Sequence, residues 1–267
     1  MTRYRIIEFA ELESTNRHAC VNLREHAHGD VIQAIVQTAG YGRLRRRWLS
    51  HVPGSLCISL VLKPRHAAPA ALPLVNISQL LALAVCRVLD AHGVSATLKW
   101  PNDVLVGGRK IAGLLAESVM QGADEFVGMV LGLGVNLNLS DEMLDCIDQP
   151  ATSLAALTGA AVDVTAFRDS VLQDFFACYD DFLVSGFTMI RADYLARCPF
   201  IGTHVEIRRG DESLGGVAHG LTHDGALELM TAAGTLHRVD LGEMFVGAFV
   251  KTRGDEVKRI KRTTEKN

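Results

Sequence analysis

The stretch from Thr97 to Glu117 constrains the fold of this chain more than any other part of its sequence. Thr97-Leu98-Lys99-Trp100 has strand character, and Pro101 ends it because proline brings no N–H to a ladder. Asn102 and Asp103 turn the chain, Val104-Leu105-Val106 resumes extended structure, and Gly107-Gly108 supplies the two positive-φ positions a tight hairpin wants. Lys110 to Glu117 returns as a buried strand. Lys99, Asp103 and Lys110 then lie on neighbouring strands at one end of a sheet. A carboxylate between two ammonium groups stays ionised near neutral pH, which suits a metal ion beside a phosphate. The same spacing suits a structural ion pair closing the hairpin equally well.

Strands are also expected at Tyr4 to Phe9, Val31 to Gln37, Leu56 to Leu62 and Phe126 to Asn138, with a helix beginning at Ser14-Thr15-Asn16. From Leu72 to His92 the apolar positions recur at helical spacing, and Gly93 closes the element. A second helix runs from about Val164 to Val184 and turns Phe167, Val171, Leu172, Phe175, Phe176, Tyr179 and Leu183 toward a core. Together these make an α+β domain over residues 1–196. After Cys198-Pro199-Phe200 the texture changes to short strands and Gly or Asp turns, which implies a small β-barrel over 197–250. Residues 251–267 hold seven Lys or Arg against three acids and read as a charged, solvated tail.

Composition excludes several classes. At 267 residues, 48% apolar and net charge −3, the chain can bury a full core. It has no uninterrupted apolar run of membrane-spanning length and no signal-peptide core near Met1, so the cytoplasm is the expected compartment. The six cysteines never fall close enough in sequence for a zinc knuckle or a CxxC redox pair and are expected to be reduced fillers. Gly132-Leu133-Gly134-Val135-Asn136 lacks the third glycine and following helix of a dinucleotide fingerprint.

Two further clusters carry chemistry. Ser14-Thr15-Asn16 caps a helix or binds a ligand. Gln37 to Trp48 combines Gly40 and Gly42 with Arg43, Arg45, Arg46 and Arg47, giving a flexible cationic loop at a strand end, suited to covering a nucleotide. A nucleic-acid patch and an ordinary solvated basic loop are the competing readings; the acidic whole-chain balance and the scarcity of aromatics among the arginines oppose the first.

In this order the chain resembles the biotin–protein ligases. The patterns are Glu13-Ser14-Thr15-Asn16; Gln37-Thr38-x-Gly40-x-Gly42-Arg43 with Arg46, Trp48 and Ser50; Lys99-Trp100-Pro101-Asn102-Asp103 with Lys110, Gly113 and Glu117; and Gly132-x-Gly134-x-Asn136-x-Asn138. The resemblance implies a mixed-sheet catalytic domain of the biotin/lipoate ligase type followed by an SH3-like end domain. It further implies a two-step reaction: biotin and MgATP give biotinyl-5′-AMP, and a lysine of a biotin carboxyl carrier domain then takes the biotinyl group. ATP and Mg²⁺ are thus the implied cofactors and biotin the substrate.

By position, Ser14, Thr15 and Gln37 would hold the biotin ureido ring, with Asn16, Tyr41 and Gly113 on the biotin side. Gly40, Gly42 and Arg43 would form the lid, and Lys110 would contact the biotin carboxylate. Arg43, Lys110 and Asp103 are the expected catalytic residues, and Asp103 is the candidate metal ligand. Arg46, Trp48, Lys99, Asn102, Asp103 and Asn136 would serve ATP and the adenylate. The family's usual lid, Gly-Arg-Gly-Arg-x-Gly-Arg, is here Gly40-Tyr41-Gly42-Arg43-Leu44-Arg45-Arg46. Losing a glycine at 45 and an arginine at 41 implies looser retention of the adenylate, unless Arg45 or Arg47 restores the charge.

Ser14 lies too near the start for the DNA-binding domain of about sixty residues that some relatives carry, so no DNA partner is expected. No membrane partner is expected either, and an edge strand leaves room for a homodimer. Two alternatives share the fold or the pocket: a lipoate-type ligase or acyltransferase, and a non-catalytic biotin binder with an altered lid.

Overall fold

A computed structural model describes residues 4–50, 54–64, 74–122 and 125–246. The charged tail at 251–267 lies outside them. In chain order the elements are β1 (Arg5–Leu12), α1 (Thr15–Val21), β2 (Asp30–Gln37), β3 (Ser55–Leu62), α2 (Leu74–Ala91), β4 (Thr97–Lys99), β5 (Asp103–Val106), β6 (Arg109–Gln121) and β7 (Glu125–Asn136). There follow α3 (Asp141–Asp145), α4 (Leu154–Thr158), α5 (Val164–Ser185), α6 (Arg191–Ala196), β8 (His204–Arg209), β9 (Glu212–Leu221), β10 (Leu227–Met230), β11 (Leu236–Val239) and β12 (Glu243–Val246).

The first seven strands form one mixed sheet in the order β1-β2-β3-β7-β6-β5-β4, with β1 and β2 parallel and the remaining pairs antiparallel. The hairpin expected from Gly107-Gly108 is present, with φ of +56° and +76° at the two glycines. The last five strands form an antiparallel sheet in the order β11-β10-β9-β8-β12.

Alternation within the central strands sorts the side chains to two faces. On one face, Leu56, Ile58, Leu60 and Leu62 of β3 stand beside Leu131 and Leu133 of β7 and Leu114 of β6, all buried with the apolar sides of α2 and α5. Helix α2 presents Ile77, Leu80, Leu81, Val85 and Leu89 to this core and stops before Gly93, which takes φ +75°. Asp163 caps α5 by accepting from the N–H groups of Thr165 and Ala166. On the opposite face the cover is thinner: Ala19 of α1 and Leu23 just after it rest on Ile32, Val61 and Val130.

The second sheet is fastened to the first through its β9–β10 turn. Trp100 Nε1 and Gln79 Nε2 both donate to the carbonyl of Gly225, and Asn76 donates to that of Asp224. Buried donors on the α2 and Lys-Trp-Pro-Asn-Asp side are thereby satisfied by backbone of the small sheet. This attachment carries β12 to the open end of the large sheet.

Candidate active site

The cavity is founded on the face of the sheet that α1 covers. There Ser59 and Leu115 flank Gly132, and Cys57 and Gly113 flank Gly134, in two rows across β3, β7 and β6. The two β7 glycines leave room for side chains arriving from elsewhere. A Cβ at Gly132 would lie 2.2 Å from Asn16 Oδ1, and one at Gly134 would lie 2.4 Å from the Trp48 ring. The Gly-x-Gly pair is therefore a pair of seats, one for Asn16 and one for Trp48.

On this floor a chain of hydrogen bonds fixes the polar groups. Ser14 caps α1, its hydroxyl accepting from the Arg17 N–H at 3.4 Å. Thr15 donates to Gln37 Oε1 through both its N–H (2.8 Å) and its hydroxyl (3.1 Å), and Gln37 Nε2 donates to Ser50 Oγ at 3.0 Å. Ser59 Oγ donates to Asn16 Oδ1 at 2.5 Å and lies 2.8 Å from Thr15 Oγ1. Asn16 Nδ2 in turn donates to Glu117 Oε2 at 2.9 Å. Ser14, Thr15, Asn16, Gln37, Ser50 and Ser59 are all buried, so the network is preorganised and largely dry.

Above the floor, Lys110 and Asp103 form an ion pair of 2.6 Å with both side chains mostly buried. The Lys110 ammonium also sits 5.7 Å from the Trp48 ring, in cation–π range. Trp48 Nε1 is buried near the Cys57 thiol and has no well-formed hydrogen bond among the described residues. The expected second ammonium is elsewhere: Lys99 is in register with Asp103, but its Nζ lies 5.8 Å from the Phe245 ring. Asp103 is thus paired with Lys110, and Lys99 turns toward the small sheet.

The rim is cationic. Arg43 donates to Asn102 Oδ1 at 3.4 Å and to the carbonyl of Gly242 at 3.1 Å. Burial lowers its proton affinity from the ordinary arginine value, with Asp103 and Glu243 opposing the shift. Arg46 forms a two-pronged pair with Glu243, and Arg46, Arg47, Glu243 and Met244 line the cavity. Arg45 does not line it; its guanidinium lies 4.4 Å over the Tyr41 ring. Of the two candidates for restoring the lid's charge, Arg47 is the one on the cavity wall.

The expected site residues Ser14, Thr15, Asn16, Gln37, Tyr41, Gly42, Arg43, Arg46, Trp48, Lys99, Asn102, Asp103, Lys110 and Gly113 all line this one cavity. Gly40 and Asn136 do not. Gly40 stands behind the wall, where a Cβ would lie 2.6 Å from Ser50 Oγ and 2.9 Å from Gln37 Nε2. Asn136 is buried and directs its amide to the carbonyls of Thr152 and Lys110 at 3.1 and 3.5 Å, bracing the strand that carries Lys110. Sequence reasoning missed Ser59, Cys57, Gln149 and the β12 residues Glu243 and Met244. Strand alternation could have flagged Ser59 and Cys57; nothing local marks Glu243.

Comparison with known proteins identifies the family. Residues 8–136 match the model of the biotin/lipoate A/B protein ligase family, and residues 200–247 match that of the biotin protein ligase C terminal domain. The chain is 32% identical over 247 residues to a biotin–[acetyl-CoA-carboxylase] ligase of Paracoccus denitrificans, covering 89% of this chain and 99% of that protein. It belongs to the biotin–protein ligase family. Against the bifunctional ligase/repressor of Bacillus spizizenii it is 34% identical over 212 residues, spanning 63% of that protein's length. The biotin protein ligase of Aquifex aeolicus, solved with biotin and ATP, superposes with a TM-score of 0.76 at 26% identity, covering 91% of this chain and 98% of that one. Within the family fold, the small sheet corresponds to the C-terminal domain, and its strand β12 and the residue before it meet Arg46 and Arg43 at the cavity rim. No helix among the described residues of this biotin–protein ligase family member is long and apolar enough to cross a membrane.

Proposed function

We propose that this chain joins biotin to ATP, forming biotinyl-5′-AMP and pyrophosphate, and then transfers the biotinyl group to a lysine of a biotin carboxyl carrier domain. The observation that carries the reading is the order of chemistry along one cavity. A neutral hydrogen-bonding floor lies at the bottom, an ammonium beside an indole at the waist, and arginines at the rim. A bicyclic urea with an apolar tail ending in a carboxylate fits the first two, and a nucleotide phosphate fits the third.

Thr15, Asn16 and Gln37 supply the amide and hydroxyl groups for the ureido ring. Lys110 holds the biotin carboxylate, one oxygen of which attacks the α-phosphorus while pyrophosphate leaves. In the second step the acceptor amine attacks the acyl carbon, loses a proton, and AMP departs. Lys110 and Arg43 stabilise the charge that builds at each stage, so catalysis is positioning plus electrostatics. ATP would arrive with Mg²⁺. Among the described residues no group of three His, Cys, Asp or Glu could hold a metal ion. Mg²⁺ commonly binds through substrate phosphates, water and one or two carboxylates, a role Asp103 fits. The reading assigns no part to DNA or to a second copy of the chain, and it places the reaction in the cytoplasm.

Incubation with ATP, Mg²⁺, biotin and an apo carrier domain, followed by detection of biotinylated lysine, tests the proposal. Product is expected, and Lys110→Met is expected to lower its rate by about 10²–10³. Biotin binding without product would support a non-catalytic binder, and turnover of lipoate in place of biotin would support the lipoate-type reading.

A further inference from the structure

The lid is a small folded hairpin. Trp48 N–H donates to the Gly40 carbonyl at 2.9 Å, Gly42 N–H donates to that of Arg46 at 2.8 Å, and Tyr41 and Arg47 form an antiparallel bridge. Its tip places two non-glycine residues in the left-handed region, Leu44 at φ +55° and Arg45 at φ +58°. Side chains hold this tip only where they reach another element. Tyr41 reaches one: its hydroxyl donates to Glu117 Oε2 at 3.1 Å, across 76 residues of sequence. The same carboxylate oxygen accepts from Asn16 Nδ2 at 2.9 Å, and the Arg45 guanidinium covers the outer face of the Tyr41 ring.

We infer that Glu117 is a positioning residue that latches the lid to the biotin floor, with Tyr41 as the catch and Arg45 as its cover. One carboxylate oxygen holds the lid through Tyr41 and the floor amide through Asn16. Glu117 sits on the site face of β6 opposite Val130, two residues along from the row of Leu115 and Gly132, so a rigid strand carries it. The two departures from the usual lid, at 41 and 45, touch each other and act as a pair. Tyrosine supplies a neutral donor to Glu117, and an arginine whose backbone takes a glycine-like φ stacks on it. A change that from sequence implies loosening is, in this geometry, a tether, and it keeps biotinyl-5′-AMP enclosed until the acceptor lysine arrives. Burial, followed by the nearby Glu117 charge, raises the Tyr41 phenol above its ordinary value, so it stays protonated and able to donate.

The inference rests on the proposed ligase reading, and its test separates the two. Release of preformed biotinyl-5′-AMP is measured for wild type, Tyr41→Phe, Glu117→Ala and Glu117→Gln. Tryptic cleavage after Arg43, Arg45, Arg46 and Arg47 is mapped in the ligand-free protein. Tyr41→Phe and Glu117→Ala are expected to speed both release and lid cleavage about tenfold, the size of one hydrogen bond to a charged acceptor. Glu117→Gln keeps an acceptor oxygen and is expected to stay within about threefold of wild type. Unchanged lid cleavage in Tyr41→Phe overturns the latch, even if release quickens, because Tyr41 would then act by touching the ligand. A chain that makes no adenylate refutes the ligase reading while the cleavage measurement still decides the latch.

Discussion

Strands β3, β6 and β7 show two faces of opposite chemistry built from the same residues in alternation. Toward α2 and α5 they present Leu56, Ile58 and Leu60, Leu114, and Leu131 and Leu133, fully buried and close-packed. Toward α1 and the lid they present Cys57 and Ser59, Gly113 and Leu115, and Gly132 and Gly134. The first face has no polar group to orient, and the second, beyond the Val61 and Val130 that α1 covers, has little apolar surface to bury. Stability and recognition are thus divided by a single residue step along a strand, and the glycines yield volume that Asn16 and Trp48 fill. The stiffness of the leucine face lets the other afford such thin cover.

Adjacent residues on β7 give the sharpest way to break this division. Leu131→Ala opens a cavity in the core face and is expected to cost about 2–5 kcal/mol of folding stability, read by chemical denaturation. The folded fraction should bind biotin within about twofold of wild type; a large loss of affinity would show that the faces are coupled. Gly132→Ala reverses the pattern. Its Cβ meets the Asn16 carboxamide, so biotin affinity by calorimetry should fall about tenfold, while stability drops by about 1–3 kcal/mol, the range for overpacking. Unchanged biotin affinity would remove Asn16 from the ligand site.

The smallest effect concerns the corner where the chain enters β2 beside the start of β1. Asp30 is buried; burial alone would raise its carboxyl, but Arg5 and the Ala27 N–H outweigh this and hold it below its ordinary value of 3.8. A lowered folded value means that ionised Asp30 stabilises the fold at pH above 3.8. That contribution is lost as pH falls through 3.8 and below. Asp30→Asn should therefore flatten the acid limb of a stability–pH curve, and an unaltered limb would place the acid sensitivity elsewhere.

Much of this was legible in the chain. The Gly107-Gly108 turn, the Ser14 cap and the helical spacing of α2 and α5 each follow from a few adjacent residues and appear where expected. Fourteen of the sixteen expected site residues line the cavity; Gly40 and Asn136 instead brace it from behind. Their motif neighbours face the ligand side, and motif membership does not tell a lining residue from a supporting one. Lys99 lines the cavity but is not the second ammonium beside Asp103, for a related reason. Register sets it opposite Asp103, but the ammonium at the end of a long flexible stem goes to Phe245.

By itself the sequence determined the strands, turns and caps, and through period-two alternation which residues share a face, because these depend on backbone preferences acting over a few positions. The tertiary structure alone decided what meets across the cavity. Arg43 reaches Gly242 across 199 residues, Arg46 pairs with Glu243, and Tyr41 finds Glu117. Such contacts exist only once the β9–β10 turn is fixed to Trp100 and Gln79 and the sheet has set the heights of β6 and β12. No local propensity encodes them, since their energy comes from groups that become neighbours only after the core has closed.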